Sequence, residues 1–122
     1  MNTIIPSTVT SIGERAFSGC SNLTSIELPN SVTSIGDSVF SGCSSLTSVE
    51  LPNSVTSIGY DAFYGCTSLI SIKIPNSVTS IGEWAFFGCS NLTIYCEAAS
   101  QREGWDSDWN FDNLPVVWGY KK

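Results

Sequence analysis

Residues 29–36 read Pro29-Asn30-Ser31-Val32-Thr33-Ser34-Ile35-Gly36, and the same eight letters return at residues 52–59 and 75–82, with a looser copy at 6–13. The period is 23 residues, and four further landmarks keep it: Phe17/40/63/86, Gly19/42/65/88, Cys20/43/66/89 and Leu23/46/69/92. A strict period of this length predicts a solenoid, in which each repeat forms one coil and buries its apolar side only against neighbouring coils.

Each repeat predicts two short strands and a corner. Leu23, Ile26 and Leu28 give the first strand, and Pro29 ends it because proline cannot donate a ladder hydrogen bond. Residues 32–35 give the second strand, and Gly36 is predicted to bend the chain with a positive φ. The corner at 37–41 has the length of one helical or 3₁₀ turn. In-register stacking of parallel strands at roughly 4.8 Å would then align equal positions of successive coils.

Seven residues per coil are predicted to point inward. In the first full copy they are Phe17, Cys20, Leu23, Ile26, Leu28, Val32 and Ile35. The period loses one residue at 92–96, and the composition then changes, with three of the four tryptophans lying after residue 97. The chain is therefore predicted to consist of a solenoid of about four coils, residues 1–96, and a C-terminal cap, residues 97–122, that covers the last apolar layer.

The composition excludes several classes of function. Eleven acidic and five basic residues give a net charge of −6, which disfavours nucleic acid and anionic membranes as partners. No apolar run is long enough to insert into a membrane, and the first residues lack the pattern of a signal peptide. Without histidine the chain lacks the commonest general base, so we expect no enzyme. The abrupt first coil suggests a fragment of a longer protein.

No cofactor or metal site is predicted. Neighbouring members of the Cys20/43/66/89 column would lie within disulfide range, but parallel side chains point alongside each other, which favours buried thiols; a disulfide, with Cys96 as a candidate, stays an alternative. Asp106, Asp108 and Asn110 have the spacing of a calcium-loop opening, yet Phe111 and Val117 stand where that loop needs glycine and glutamate. A solvated acidic turn is the simpler interpretation.

The repeat resembles the BspA-type subclass of leucine-rich repeats. The resemblance is carried by Leu23-x-x-Ile26-x-Leu28, by Pro29, and by the Ala-Phe, Ile-Gly and Cys positions over residues 4–96. It implies a right-handed β/α coil and a non-catalytic, surface-exposed or secreted bacterial protein that binds other proteins, glycans or cells. It also implies a concave binding face formed by the outward residues of the first strands: Ser25, Glu27, Ser48, Glu50, Ser71 and Lys73.

Positions at which the copies differ are not fixed by packing between the coils, and they predict a second candidate site. Large rings occur there only in the last two coils, at Tyr60, Tyr64, Trp84 and Phe87. Two interpretations stay open, a patch for a protein or glycan partner and a seat for the C-terminal cap. The alternative function is structural: a self-assembling unit, such as a homodimer, that associates through the first coil.

Overall fold

The chain is a parallel-strand β-solenoid of about five turns in this computed structural model, which describes residues 2–120. Six strands form the first side and four two-residue strands the second. The first-side strands are β1 (Asn2–Ile4), β3 (Ser25–Glu27), β5 (Ser48–Glu50), β7 (Ser71–Ile74), β9 (Thr93–Cys96) and β10 (Val116–Trp118). The second-side strands are β2 (Ser11–Ile12), β4 (Ser34–Ile35), β6 (Ser57–Ile58) and β8 (Ser80–Ile81).

Successive coils stack in register, as the repeat predicts. Ile26 pairs with Val49 and Glu27 with Glu50, while β2, β4, β6 and β8 form one continuous parallel sheet. The first side instead has two sheets, β1-β3-β5 and β7-β9-β10, and no ladder joins β5 to β7 within residues 2–120. The pairing of β7 with β9 is offset by 22 residues, so the missing residue at 92–96 is absorbed without loss of register.

The predicted inward residues form the core. Leu23, Ile26, Leu28, Val32 and Ile35 are buried, together with their copies in later coils. The phenylalanine column stacks with centroid distances of 5.2–5.7 Å, and only its first member, Phe17, is partly exposed. Serine hydroxyls also join the coils, since Oγ of Ser54 donates to the Val32 carbonyl at 2.6 Å. Each coil is thus held only by the coils next to it.

The corner differs from the prediction, because no described residue is helical. Alternate corner N–H groups donate to the next coil: Phe17 to the Val39 carbonyl and Gly19 to that of Ser41, at 2.9 and 2.7 Å. Those donors are therefore not free for helical bonds. A left-handed residue also recurs in each corner, which a right-handed helix does not accommodate; these residues are Arg15, Ser38, Asp61 and Trp84.

The sequence analysis predicted that glycine is needed at position 36 for a positive φ, and this reason was wrong. The positive φ falls two residues later, at Ser38 (58°), and again at Gly42 (78°). Gly36 is needed because a Cβ there would lie 2.7 Å from the carbonyl oxygen of Ile12 in the preceding coil. The glycine column therefore sets how closely the coils approach.

After Cys96 the chain follows the path of one more coil without the repeat sequence. Trp105 bridges to Ile81 of β8 in parallel, and β10 pairs with β9. Two tail residues are buried: Trp105 (4% exposed) and Trp109 (3%), whose ring meets Phe86 edge-on at 6.2 Å. Tryptophans thus pack where the next apolar layer would lie.

Candidate functional site

The corner of the last coils carries a cluster of five aromatic rings, here called the corner patch. Its members are Tyr60, Tyr64, Trp84, Phe87 and Phe111. Tyr64 stacks on Phe87 at 5.5 Å with an interplanar angle of 5°, and Trp84 lies 5.5 Å from the same ring. The four predicted residues are thus brought together by coil stacking, since they occupy equivalent or adjacent positions in successive coils.

The patch divides into two halves that match the two interpretations of the sequence. Phe111 of the tail packs on Trp84 and Phe87, at 5.8 and 5.6 Å, so this half contacts the tail. Tyr60 and Tyr64 are each 42% exposed and Phe111 is 54% exposed. Phe111 was missed by the sequence analysis because the tail lacks the repeat that aligned the other rings.

Carboxylates surround the corner patch. An oxygen of Asp37 accepts a hydrogen bond from the Tyr60 backbone N–H at 2.9 Å, and Asp61 and Glu83 directly adjoin Tyr60 and Trp84 in the chain. The pKa of the Tyr60 hydroxyl is raised, mainly by the charge of Asp61. Burial raises the pKa of the Asp61 carboxyl. The potential at the patch is therefore negative.

A groove of about 850 Å³ runs along the second side beside the patch. It crosses all the coils and is lined by the glycine column, including Gly36, Gly59 and Gly82. Asp37 and Tyr60 belong to the groove and to the surroundings of the patch alike. The two features thus form one continuous surface.

The first-side face holds the other predicted residues. Glu27 and Glu50 are exposed and in register, whereas Glu50 and Lys73 flank the gap between β5 and β7, in a groove of about 440 Å³. Lys73 Nζ lies 5.5 Å from the ring centroid of Tyr120. Ser48 and Ser71 are exposed and line the same groove, and Ser25 is half-buried.

Two tyrosines of this face were missed by the sequence analysis. Tyr95 pairs in register with Lys73, and Tyr120 meets its ring edge-on at 5.3 Å. Tyr95 could have been found by counting the missing residue at 92–96 into the register of the Glu27 column. Tyr120 had no such signal, because it follows the tail.

The cysteine column serves the packing between coils. All five cysteines have free thiols, and each of Cys43, Cys66 and Cys89 donates through Sγ to a carbonyl of the preceding coil, at 3.0–3.1 Å. Burial raises the pKa of Cys96 to about 12, and the neighbouring Cys89 together with burial raises the pKa of Cys66. Such thiols are poor nucleophiles at neutral pH.

Iodoacetamide is therefore expected to alkylate Cys20 first in the native protein, because Cys20 alone of the five is only half-buried. The other four should react at least about tenfold more slowly, since they require local unfolding to reach the reagent. Timed quenching and peptide mass spectrometry would measure this. Equal rates at Cys20 and Cys66 would contradict the packing of the column.

The acidic turn of the tail is organised by its own hydrogen bonds. Oδ1 of Asp106 accepts from the Asp108 backbone N–H at 2.8 Å, and the Asn110 side chain bonds the backbone of Leu114 in both directions. Among residues 2–120 no group of three or more acidic or cysteine side chains could hold a metal ion. No described helix is long and apolar enough to cross a membrane.

Parallel first-side strands, an apolar column and a period of 23 residues define a leucine-rich repeat solenoid. The BspA type leucine rich repeat region family matches residues 1–101 in six copies, and the chain belongs to that family. The leucine-rich repeat family is generally non-catalytic, and its members generally bind proteins. Among curated proteins, none matches the chain.

Three solved structures are similar. A leucine-rich repeat protein from Bacteroides ovatus ATCC 8483 is 44% identical with a TM-score of 0.74, over 86% of this chain and 26% of that one. A leucine rich cell surface protein from Faecalibacterium prausnitzii A2-165 is 36% identical with a TM-score of 0.66, over 85% and 33%. The T. pallidum leucine rich repeat protein is 25% identical with a TM-score of 0.69, over 98% and 69%. The chain thus spans about a quarter and a third of the first two proteins.

Proposed function

We propose that this chain is a non-catalytic module that binds a protein or glycan partner through its corner patch, within a secreted or surface-exposed adhesion protein. The observation that carries the proposal is the corner patch itself: five touching rings, three of them at least 42% exposed. Contiguous exposed aromatics mark interaction sites because tyrosine and tryptophan contribute large contact areas at low entropic cost. The description of the Faecalibacterium prausnitzii relative as a cell surface protein supports the location.

The first-side face is the second candidate surface. Its support is the groove between Glu50 and Lys73, where charges of both signs and the Tyr120 ring are available together. The corner patch takes precedence because three of its contacting rings are exposed, whereas Tyr95 and Tyr120 of the first-side face are half-buried. Isolated surface charges contribute little to binding energy unless they are desolvated in a packed centre.

The double substitution Tyr60→Ser/Tyr64→Ser tests the patch. Immobilised extracellular proteins and glycans would be probed with the purified chain, and we expect binding to weaken at least about tenfold, the typical loss for two truncated aromatic anchors. The matched control is Tyr95→Ser on the first side, which should bind normally. Melting temperature should fall by less than about 4 °C, since both rings are half exposed.

Two outcomes would count against this assignment. Unchanged binding by the double variant would remove the patch from the interaction. A loss confined to Tyr95→Ser would transfer the site to the first-side face.

We also propose the division into a solenoid, residues 1–96, and a cap, residues 97–122. The buried rings of Trp105 and Trp109 support it, because they cover the layer of Ile81 and Phe86. Tryptophan suits this position because its ring is largely apolar and its N–H edge can contact water. Deleting residues 97–122 should therefore expose that layer and produce aggregation, measurable by light scattering.

Self-assembly through the first coil is the alternative function. Its specific support is the half-buried state of Val9, Phe17 and Cys20, whose copies in later coils are fully buried. Light scattering should then show a dimer that Val9→Asp dissociates and the control Val117→Asp, at the opposite end, does not. A monomer whose mass is independent of concentration would exclude it.

A further inference from the structure

We propose that the corner patch and the adjoining groove bind an extended protein segment rich in arginine or lysine. This inference rests on the proposed function and names the partner chemistry of the same site. Its basis is that exposed rings, a long groove and several carboxylates lie together on two adjoining sides of the solenoid, the corner and the second side.

Charge is distributed unevenly over the described chain. Eight of the eleven carboxylates lie in the corners or in residues 103–112, and within these segments the one basic residue is Arg15. Arg15 is two coils away from Asp61 and has an exposed carboxylate oxygen of Glu14 at 4.0 Å. The groove rim presents Glu14, Asp37, Glu103 and Asp106. Arg15 lies beside Glu14 and Arg102 precedes Glu103 in the chain, whereas no basic residue adjoins Asp37 or Asp106 in the sequence.

The groove and the patch meet at Tyr60. The Asp37 carboxylate accepts a hydrogen bond from the backbone N–H of Tyr60, and the centroids of the Tyr60 and Trp84 rings are 6.2 Å apart. A guanidinium group stacks on aromatic faces and at the same time donates to carboxylates, so a site with both features favours arginine over an uncharged side chain. The raised pKa of Tyr60 agrees with a negative field at this point.

A neutral glycan fits this surface less well. Sugar rings could stack on Tyr60 and Tyr64 and donate from their hydroxyls to the neighbouring carboxylates, but they would leave the net negative charge of the corner unneutralised. Removing a carboxylate from water is costly unless a cation or several donors replace the lost hydration. A basic segment supplies that compensation and is also attracted over a distance by the net charge of the chain.

The groove also sets the length of the segment. It extends from Gly13 through Gly82 to Gly104, which spans four coil-to-coil steps. Four steps of roughly 4.8 Å amount to ~19 Å, the length of about six residues of extended chain at ~3.3 Å each. The partner is therefore a hexapeptide-sized stretch lying across the coils.

A fluorescein-labelled hexapeptide of alternating arginine and threonine is the probe, and fluorescence polarisation gives its affinity. The variant Asp37→Asn/Glu83→Gln removes two charges beside the patch, and asparagine keeps the oxygen that accepts from Tyr60. Its control, Glu27→Gln/Glu50→Gln, has the same net charge but changes the first side. We expect at least about a tenfold loss for the corner variant and less than about twofold for the control.

Each other result overturns the inference. Equal weakening by both variants would show that the peptide is held only by the net negative charge of the chain and not by the corner patch. Equally tight binding of a glutamate–threonine hexapeptide, or no binding of the arginine peptide at all, would exclude a basic partner. If cellohexaose binds and is lost in Tyr60→Ser/Tyr64→Ser, the proposed function stands while this inference fails. If the tyrosine variant leaves every partner of the immobilised panel bound, the proposed function itself fails.

Discussion

Replacing Phe63 with alanine is expected to lower the free energy of unfolding by about 3–5 kcal/mol, the usual loss for a fully buried phenylalanine. Its ring has no exposed area and stacks between Phe40 and Phe86, at 5.2 and 5.3 Å. The void would lie in the middle of the column. Since each coil contacts only its neighbours, the substitution weakens both interfaces that join this coil to the rest of the solenoid.

The matched control is Phe17→Ala at the same position of the first coil. Phe17 is partly exposed and has one stacking partner, Phe40 at 5.7 Å, so its loss should be roughly 1–2 kcal/mol. Urea unfolding followed by circular dichroism and by tryptophan fluorescence would measure both variants. Equal losses for the two would contradict a column whose burial grows away from its first member.

The inward and outward positions of the coil were predictable because the sequence repeats the coil several times. A position that holds Leu23, Leu46, Leu69 and Leu92 in turn identifies an inward column by itself, and the structure buries all four. The corner was not predictable in the same way. Its turn length is compatible with a helix, and only the bonds between coils, such as Phe17 N–H to the Val39 carbonyl, replace that helix with a ladder.

The candidate site lies where repetition no longer constrains the sequence. Comparing copies identified Tyr60, Tyr64, Trp84 and Phe87, and stacking then explains why they touch. Phe111 and Tyr120 could not be predicted as members of the sites, because their positions depend on how the tail packs against the last coil. The gap between β5 and β7 coincides with a change in the repeat, since Ile70 and Lys73 replace the threonine and glutamate of the earlier copies, but these changes alone do not predict a break in the sheet.

Gly82→Ala is expected to be among the most damaging single-methyl additions in the chain. A Cβ at this position would lie 2.5 Å from the backbone nitrogen of Tyr60 and 2.8 Å from the carbonyl carbon of Gly59. These are backbone atoms of the preceding coil, so no side chain can rotate away. The coils would have to separate, which would break contacts such as the 2.8 Å bond from Gly82 N–H to the Ile58 carbonyl. We expect a loss of about 3 kcal/mol, the upper part of the range for overpacking.

Gly13→Ala provides the control within the same column. Nothing lies within 4 Å of a Cβ at Gly13, and its φ is not in the left-handed region. Alanine there should leave stability unchanged or raise it by about 0.4–1 kcal/mol, because it restricts the unfolded chain. A large loss of stability for Gly82→Ala with none for Gly13→Ala, measured by urea unfolding, would show that close approach of the coils selects glycine at position 82. A similar loss for both would instead indicate that the column needs glycine for its backbone conformation.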